Sequence, residues 1–192
     1  MVDEIYRQMY REYRGVPLVF GDGNKNGRVL LLGEAPGADE VARQRPFVGK
    51  AGSNLKAFLS ALDFCRDEIY VTNVCKFRPF RVSEKGTVSN RTPTKKEVTE
   101  ALPWLMKEIA AIRPEVLVTL GNTPLRAVTG DFSATIGTFH GKETKIVLED
   151  RAYSLFALYH PASIIYNPAL GAVYARDIEG LAEFLREKIF SI

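Results

Sequence analysis

Only two histidines occur in this 192-residue chain, and one of them, His160, stands in "YHPAS", at the close of the apolar run "YSLFALYH" (153–160). Two other apolar runs also end in groups suited to chemistry. "RVLLLG" (28–33) leads into "GEAPG" and then "RPFVG", and "IYVTNV" (69–74) carries Asn73 into "TNVCK". An asparagine at a stiff strand end offers one acceptor and two donors, the set needed to read a planar edge that alternates donor and acceptor. Phe47 lies between the turn-forming "RP" and "VGKAG", so its ring is expected to project as a stacking face and not to enter the core. Glu34 and Glu40 supply carboxylates in the same loop, and His160 a neutral or cationic donor on the opposite wall. Together these residues suit a nucleobase held in a pocket. Each alone has a plainer reading: Gly33, Pro36 and Gly37 as a tight turn, Asn73 as a cap, His160 as a hydrogen-bonded structural residue.

These groups converge only if the strands lie side by side. The runs 28–33, 69–74, 115–121, 144–150 and 153–160 are short and rich in Val, Ile and Leu, as strands buried on both faces are. Helical patterns separate most of them. "AGSNLKAFLSAL" (51–62) spaces Leu55, Phe58, Leu59 and Leu62 on one face, and the segment 92–112 starts with Thr92 as N-cap and Pro93 in the first turn. "NTPLRAV" (122–128) and the segment 174–190 complete the set, while "RVSEKGTVSN" (81–90) is polar, aperiodic and reads as a loop. The expected fold is a three-layer α/β/α sandwich around a mostly parallel, roughly four-stranded sheet, as a single domain over 1–192. In such sheets ligands sit outside the carboxyl ends of the strands, where the three unusual segments fall.

Composition narrows the partners. With 26 Lys plus Arg against 23 Asp plus Glu, the net charge is only +3, so a polyanion must be met by a local basic patch. No run reaches membrane-spanning length and the N-terminal segment lacks the apolar stretch of a signal peptide, so a cytoplasmic protein, a monomer without membrane contact, is expected. Cys65 and Cys75 are too few for a disulfide framework and have no His or Cys companion for a metal site. "GEAPG" lacks the G-x-G-x-x-G spacing and no G-K-[ST] follows, which disfavours dinucleotide or ATP binding.

In order and spacing, "GEAPG", "RPFVGKAG", "VTNVCKFRP", "NRTPT", "LG" (120–121) and "HPAS" resemble the family 4 uracil-DNA glycosylases of the uracil-DNA glycosylase superfamily. The likeness runs from residue 19 to residue 168. It implies a DNA glycosylase that flips uracil out of the stack and hydrolyses its bond to deoxyribose in base excision repair. By that resemblance Phe47 stacks on the uracil, and Asn73 accepts from N3–H and donates to O4. Backbone amides around Gly33 to Ala35, with the His160 side chain, face O2. The best-known branch has an Asp where this chain has Ala35, which leaves Glu34 to order the water or support the loop and Glu40 to shape the pocket. Lys50, Lys76 and Arg78 are the expected phosphate ligands, and Pro161, Ala162 and Ser163 meet the minor groove. The positions aligned with the four iron–sulfur cysteines are Arg7, Tyr10, Phe77 and Ala101, so neither cluster nor other cofactor is expected. The loop 81–90 is longer than usual, and Tyr166 stands where an Arg is usual. These departures keep two alternatives open: a binding module without activity for damaged DNA, and a glycosylase for hypoxanthine or xanthine.

Overall fold

The run "VLLL" is buried on both sides because the strand it forms lies at the middle of a sheet. Leu30 and Leu32 join one core cluster, Val29 and Leu31 the other. The same alternation sends Leu117 one way and Val116 and Val118 the other, then Leu155 and Ala157 against Phe156 and Leu158. A computed structural model describes residues 1–49, 59, 60, 62 and 64–190.

The elements follow the order α1 (Val2–Glu12), β1 (Asp22–Gly23), β2 (Val29–Gly33), α2 (Ala38–Arg43), β3 (Tyr70–Asn73), β4 (Phe80–Val82), β5 (Val88–Asn90), α3 (Lys95–Ile112), β6 (Val116–Leu120), α4 (Asn122–Thr129), α5 (Ile136–Phe139), β7 (Glu143–Leu148), β8 (Arg151–Leu158), α6 (Ala162–Tyr166) and α7 (Gly171–Leu185). The main sheet has the order β1-β3-β2-β6-β8-β7. Its four central strands are parallel, with Leu31 opposite Val71 and Val118, and Val118 opposite Phe156. The short β1 and the half-buried β7 pair antiparallel at the two edges. Helices α1, α3 and α4 cover one face and α7 the other, giving the α/β/α sandwich.

The sheet is thus wider than the expected four strands, having six. β1 is two residues long, too short to show a period in sequence. The segment 81–90 is not a loop: it forms with Phe80 the β4–β5 hairpin, pairing Phe80 with Asn90 and Val82 with Val88. Its strands are largely exposed, so burial gave the sequence no alternation to carry. The N-cap of α3 is Thr94 in place of Thr92. Thr94 Oγ1 accepts from the Glu97 amide at 3.2 Å and Glu97 Oε2 from the Thr94 amide at 2.7 Å, a reciprocal capping box. Arg91 also grips Glu97 through two bonds of 2.7 Å and, as first cause, pulls its carboxyl down to about 2. Helix α7 starts three residues ahead of expectation, at Gly171. The expected helix at 51–62 lies almost wholly outside the described residues. Among the described residues no helix is long and apolar enough to cross a membrane.

Candidate active site

The carboxyl ends of β2, β3, β6 and β8 surround a cleft of about 900 Å³. Gly33 to Glu40 and Phe47 line one side, and His160, Ala162, Ser163 and Tyr166 belong to the same wall system. All seven residues expected at the base or the reaction, Gly33, Glu34, Ala35, Glu40, Phe47, Asn73 and His160, line this one space.

Phe47 differs from expectation in one respect. It is only 6 % exposed and belongs to the core cluster as well as to the cleft lining. Its backbone has φ +55, a left-handed conformation that costs a bulky residue about 1–2 kcal/mol. The surroundings hold it there from both sides. Arg66 donates to the carbonyls of Pro46 at 2.6 Å and Phe47 at 3.2 Å, while Asp22 anchors the same guanidinium at 3.1 Å. On the other side Glu40 Oε1 accepts from the amides of Val48 at 3.0 Å and Gly49 at 2.7 Å, and its Oε2 from Gly37 at 3.1 Å. Glu40 is therefore a tie between the two arms of the loop. With three amides on its two oxygens, Glu40 holds the loop that lines this side of the cleft. Close approach explains Gly33: a Cβ there would lie 2.6 Å from the Phe47 ring carbon Cζ and would also strike Asn73 Oδ1.

Asn73 is buried at the last position of β3, and among the described residues nothing bonds to its side-chain amide. Its main chain is held instead. Lys76 Nζ donates to the Asn73 carbonyl at 2.5 Å and to Thr72 Oγ1 at 2.7 Å, and pairs with Glu108 at 2.5 Å. Lys76 is 2 % exposed and Glu108 not at all, so Lys76 cannot reach a DNA phosphate. That expectation is corrected: the chain after β3 turns the lysine back under the strand, where a buried carboxylate awaits it. Tyr6, Tyr70 and Thr72 donate to the same carboxylate, and burial, with Glu108 next, pushes both phenols far above their ordinary range.

His160 supplies a donor of defined tautomer. Its Nδ1 accepts from the Ala162 amide at 3.1 Å, which leaves Nε2 to carry the proton of the neutral ring. Burial lowers its pKa and favours that neutral form. Gly121, at φ +89 after β6, lets the next turn pass close by; a Cβ there would meet the His160 Cβ at 3.4 Å. Glu34 accepts from Thr123 Oγ1 at 2.5 Å, tying the first loop to the start of α4. Its pKa is raised by burial, against the lowering hydrogen bonds of Thr123 and Thr92. The carbonyls of Gly33 and Glu34 accept from Val74 and Cys75 at 2.9 and 3.1 Å.

Of the remaining expected DNA ligands, Lys50 lies outside the described residues. Arg78 sits beside the cleft wall, its Nε donating to Asn90 Oδ1 at 2.7 Å. Pro161 precedes the short helix α6, and Ala162 and Ser163 line the cleft, with Ser163 N bonded to the His160 carbonyl at 2.8 Å. Asn90, Thr92, Thr123 and Arg126 also line the cleft and were not among the expected site residues. Thr123 was within reach of the strand-end rule, since only Asn122 separates it from "LG" at the end of β6. Asn90 and Thr92 were not, because the hairpin that brings them there has strands of 3 residues, too short for their alternation to stand out in sequence.

The positions aligned with cluster ligands hold other chemistry. Arg7 is exposed and paired with Glu4, Tyr10 packs edge-on to Phe20 with centroids 4.9 Å apart, Phe77 stacks with Tyr13, and Ala101 is buried in the core. A guanidinium, a phenol, a phenyl ring and a methyl do not fit an iron–sulfur cluster, which takes thiolates.

Comparison with known proteins identifies the family of the chain. The sequence profile of the Uracil DNA glycosylase superfamily matches residues 20–184. The type-4 uracil-DNA glycosylase of Archaeoglobus fulgidus is 34 % identical over 171 residues, covering 88 % of this chain and 82 % of that protein. The type-4 uracil-DNA glycosylase of Pyrobaculum aerophilum is 34 % identical over 173 residues, covering 86 % and 84 %. Among solved structures, Pedobacter heparinus SMUG2 shares the fold with a TM-score of 0.59 at 15 % identity, covering 98 % of this chain and 83 % of that one. The chain belongs to the uracil-DNA glycosylase superfamily, a family of DNA glycosylases.

Proposed function

We propose that this protein excises uracil from DNA as a monofunctional glycosylase, without metal, cluster or other cofactor. The observation that carries the reading is the meeting of Phe47 and Asn73 around Gly33 in one cleft, with His160 lining the same space. In this reading the base enters beside the Phe47 ring. The amide of Asn73, unbonded among the described residues, accepts from N3–H and donates to O4. Cytosine presents the opposite pattern there and leaves buried polar groups unpaired, at about 1–3 kcal/mol each.

The N1–C1′ bond breaks with its electron pair leaving on uracil, so negative charge gathers on O2. Nε2–H of neutral His160 and the loop amides of Glu34 and Ala35 are the donors we assign to that charge; one well-placed donor is worth roughly 3–4 kcal/mol. The oxygen of water then bonds to C1′ and the water gives up a proton that ends on the uracil anion, which leaves an abasic sugar and neutral uracil. Glu34, the carboxylate not consumed by the loop amides, is our choice to orient that water. The aromatic and aliphatic packing at positions 10, 77 and 101 supports the absence of a cluster, and we expect a colourless, monomeric, cytoplasmic protein free of bound iron.

The test is excision. Single-stranded and duplex oligonucleotides carrying one uracil, hypoxanthine or xanthine are incubated with the protein and cleaved at abasic sites by alkali. Cleavage at uracil is expected. Cleavage confined to hypoxanthine or xanthine overturns the substrate, and no product with measurable affinity for uracil DNA overturns the enzyme in favour of a binding module.

A further inference from the structure

Three apolar side chains stand together in water on the β4–β5 hairpin: Phe80 is 51 % exposed, Val82 59 % and Val88 49 %. The pairing register puts them on one face. Phe80 and Val82 alternate along β4, Val88 lies opposite Val82, and Asn90 lies opposite Phe80. Asn90 gives that face a direction, because it lines the active-site cleft and reaches the first loop, where a Cβ on Gly37 would lie 3.0 Å from its Nδ2. The apolar face is thus continuous with the cleft wall, which Pro79, Arg91 and Thr92 extend at the base of the hairpin. Arg78 and Lys85 flank it with Glu84, while Arg81, opposite Ser89, stands on the other face of the hairpin. Arg78 is fixed on the Asn90 amide at 2.7 Å and Arg81 on Ser89 at 3.1 Å. An apolar strip rimmed by cations and opening onto a base-sized cleft matches a polyanion with apolar faces between its charges.

We propose that the hairpin is a DNA wedge: Phe80, with Val82 and Val88, packs on the bases next to the nucleotide that enters the cleft, while Arg78 and Lys85 meet the flanking phosphates. The proposal deepens the glycosylase reading and rests on DNA being the substrate. It gives the hairpin a purpose that folding does not, since its apolar face is spent on no core. Apolar side chains inserted beside base steps hold a duplex open, and aromatic rings stack on bases whatever their sequence.

The experiment measures affinity by fluorescence anisotropy, and excision under single turnover, on one uracil oligonucleotide, single-stranded and duplex. Phe80→Ser should weaken binding about tenfold, within the range of one base–aromatic stack. Val147→Ser, which removes a still more exposed apolar side chain from edge strand β7 (Val147 is 69 % exposed), should bind as the wild type does. Lys85→Ser should lower the slope of log affinity against log salt by about 0.7–0.9. Phe80→Trp keeps a stacking ring and should show indole quenching on DNA addition beyond that of Trp104 in the wild type. Wild-type affinity and turnover in Phe80→Ser, with unquenched Phe80→Trp, overturn the wedge while leaving the glycosylase reading standing. A wild type that binds but excises nothing, with Phe80→Ser still weakened, supports the wedge and removes the reaction. Absence of DNA binding by the wild type overturns both.

Discussion

Consecutive residues of β3 serve two polar sites of opposite character. Thr72 points to the α3 face, where Tyr6, Tyr70, Lys76 and Glu108 close a network with no exposure at the carboxylate. Asn73 points the other way, into a cleft with its amide unused among the described residues. Inside the sealed network donors and acceptors are spent on one another. In the cleft the groups that matter keep one function tied down and one free: His160 commits Nδ1 to Ala162 and keeps Nε2, and Asn73 commits its carbonyl to Lys76 and keeps its amide. The difference separates a network that sets a position from one that, on the proposed function, takes a base. The two also touch, because the ammonium neutralising Glu108 is the one that holds the backbone of Asn73.

Breaking the sealed side should have the largest effect. Lys76→Met leaves Glu108 buried without its cation, which is expected to cost about 3–5 kcal/mol of stability in a denaturant melt. Adding Glu108→Gln removes the stranded charge and should recover a good part of that loss. If the network also positions Asn73, the double variant remains slower on uracil DNA than the wild type after stability is restored. Equal turnover would make the network a matter of folding alone.

Breaking the open side should move rate and leave stability nearly alone. His160→Ala removes the donor that the proposed function aims at developing charge, and a fall in kcat of about 10²–10³-fold is expected with the melting temperature little changed. Between the two lies Gly33→Ala, whose Cβ would meet both the Phe47 ring and Asn73 Oδ1. Overpacking of this kind typically costs about 1–3 kcal/mol. Raised KM with a smaller fall in kcat, in steady-state excision assays, is the expected signature of a base slot narrowed at its floor.

The two sites were unequally legible in the sequence. The apolar runs at β2, β3, β6 and β8 announce strands because burial on both faces keeps them mostly apolar, and the strand-end rule then picks out Glu34, Asn73 and His160. The sealed network hides by the same logic. A lysine after a strand is usually solvated, so Lys76 gave no sign that it folds back under β3. Glu108 did leave a trace, falling at the spacing of Trp104, Leu105 and Ile109 on the buried stripe of α3. A carboxylate in an apolar stripe demands a partner, but the periodicity of one helix cannot say which element provides it. The hairpin was illegible for the reverse reason, since exposed strands carry no burial pattern.

The smallest expected effect separates Glu34 from His160 in the cleft. Burial lowers the pKa of His160, so in acid the unfolded chain takes up a proton near the ordinary imidazole value of about 6.5 before the folded one does. Stability contributed by neutral His160 is therefore complete above that value and declines as pH falls through the folded pKa. Glu34 behaves oppositely. Burial raises its pKa, so the folded protein binds the proton first, and its contribution is complete below the ordinary carboxyl value and lost as pH rises through the raised one. Excision should fall on the acid side in either case, through loss of the Nδ1 acceptor that orients His160 or through neutralisation of Glu34. Chemical denaturation between pH 4 and pH 8 tells them apart. In His160→Gln the decline of stability below neutrality should flatten, and in Glu34→Gln it should deepen. An acid fall in rate that survives His160→Gln and disappears in Glu34→Gln would assign the titration to the carboxylate and the orientation of water, while the reverse pattern would assign it to the imidazole.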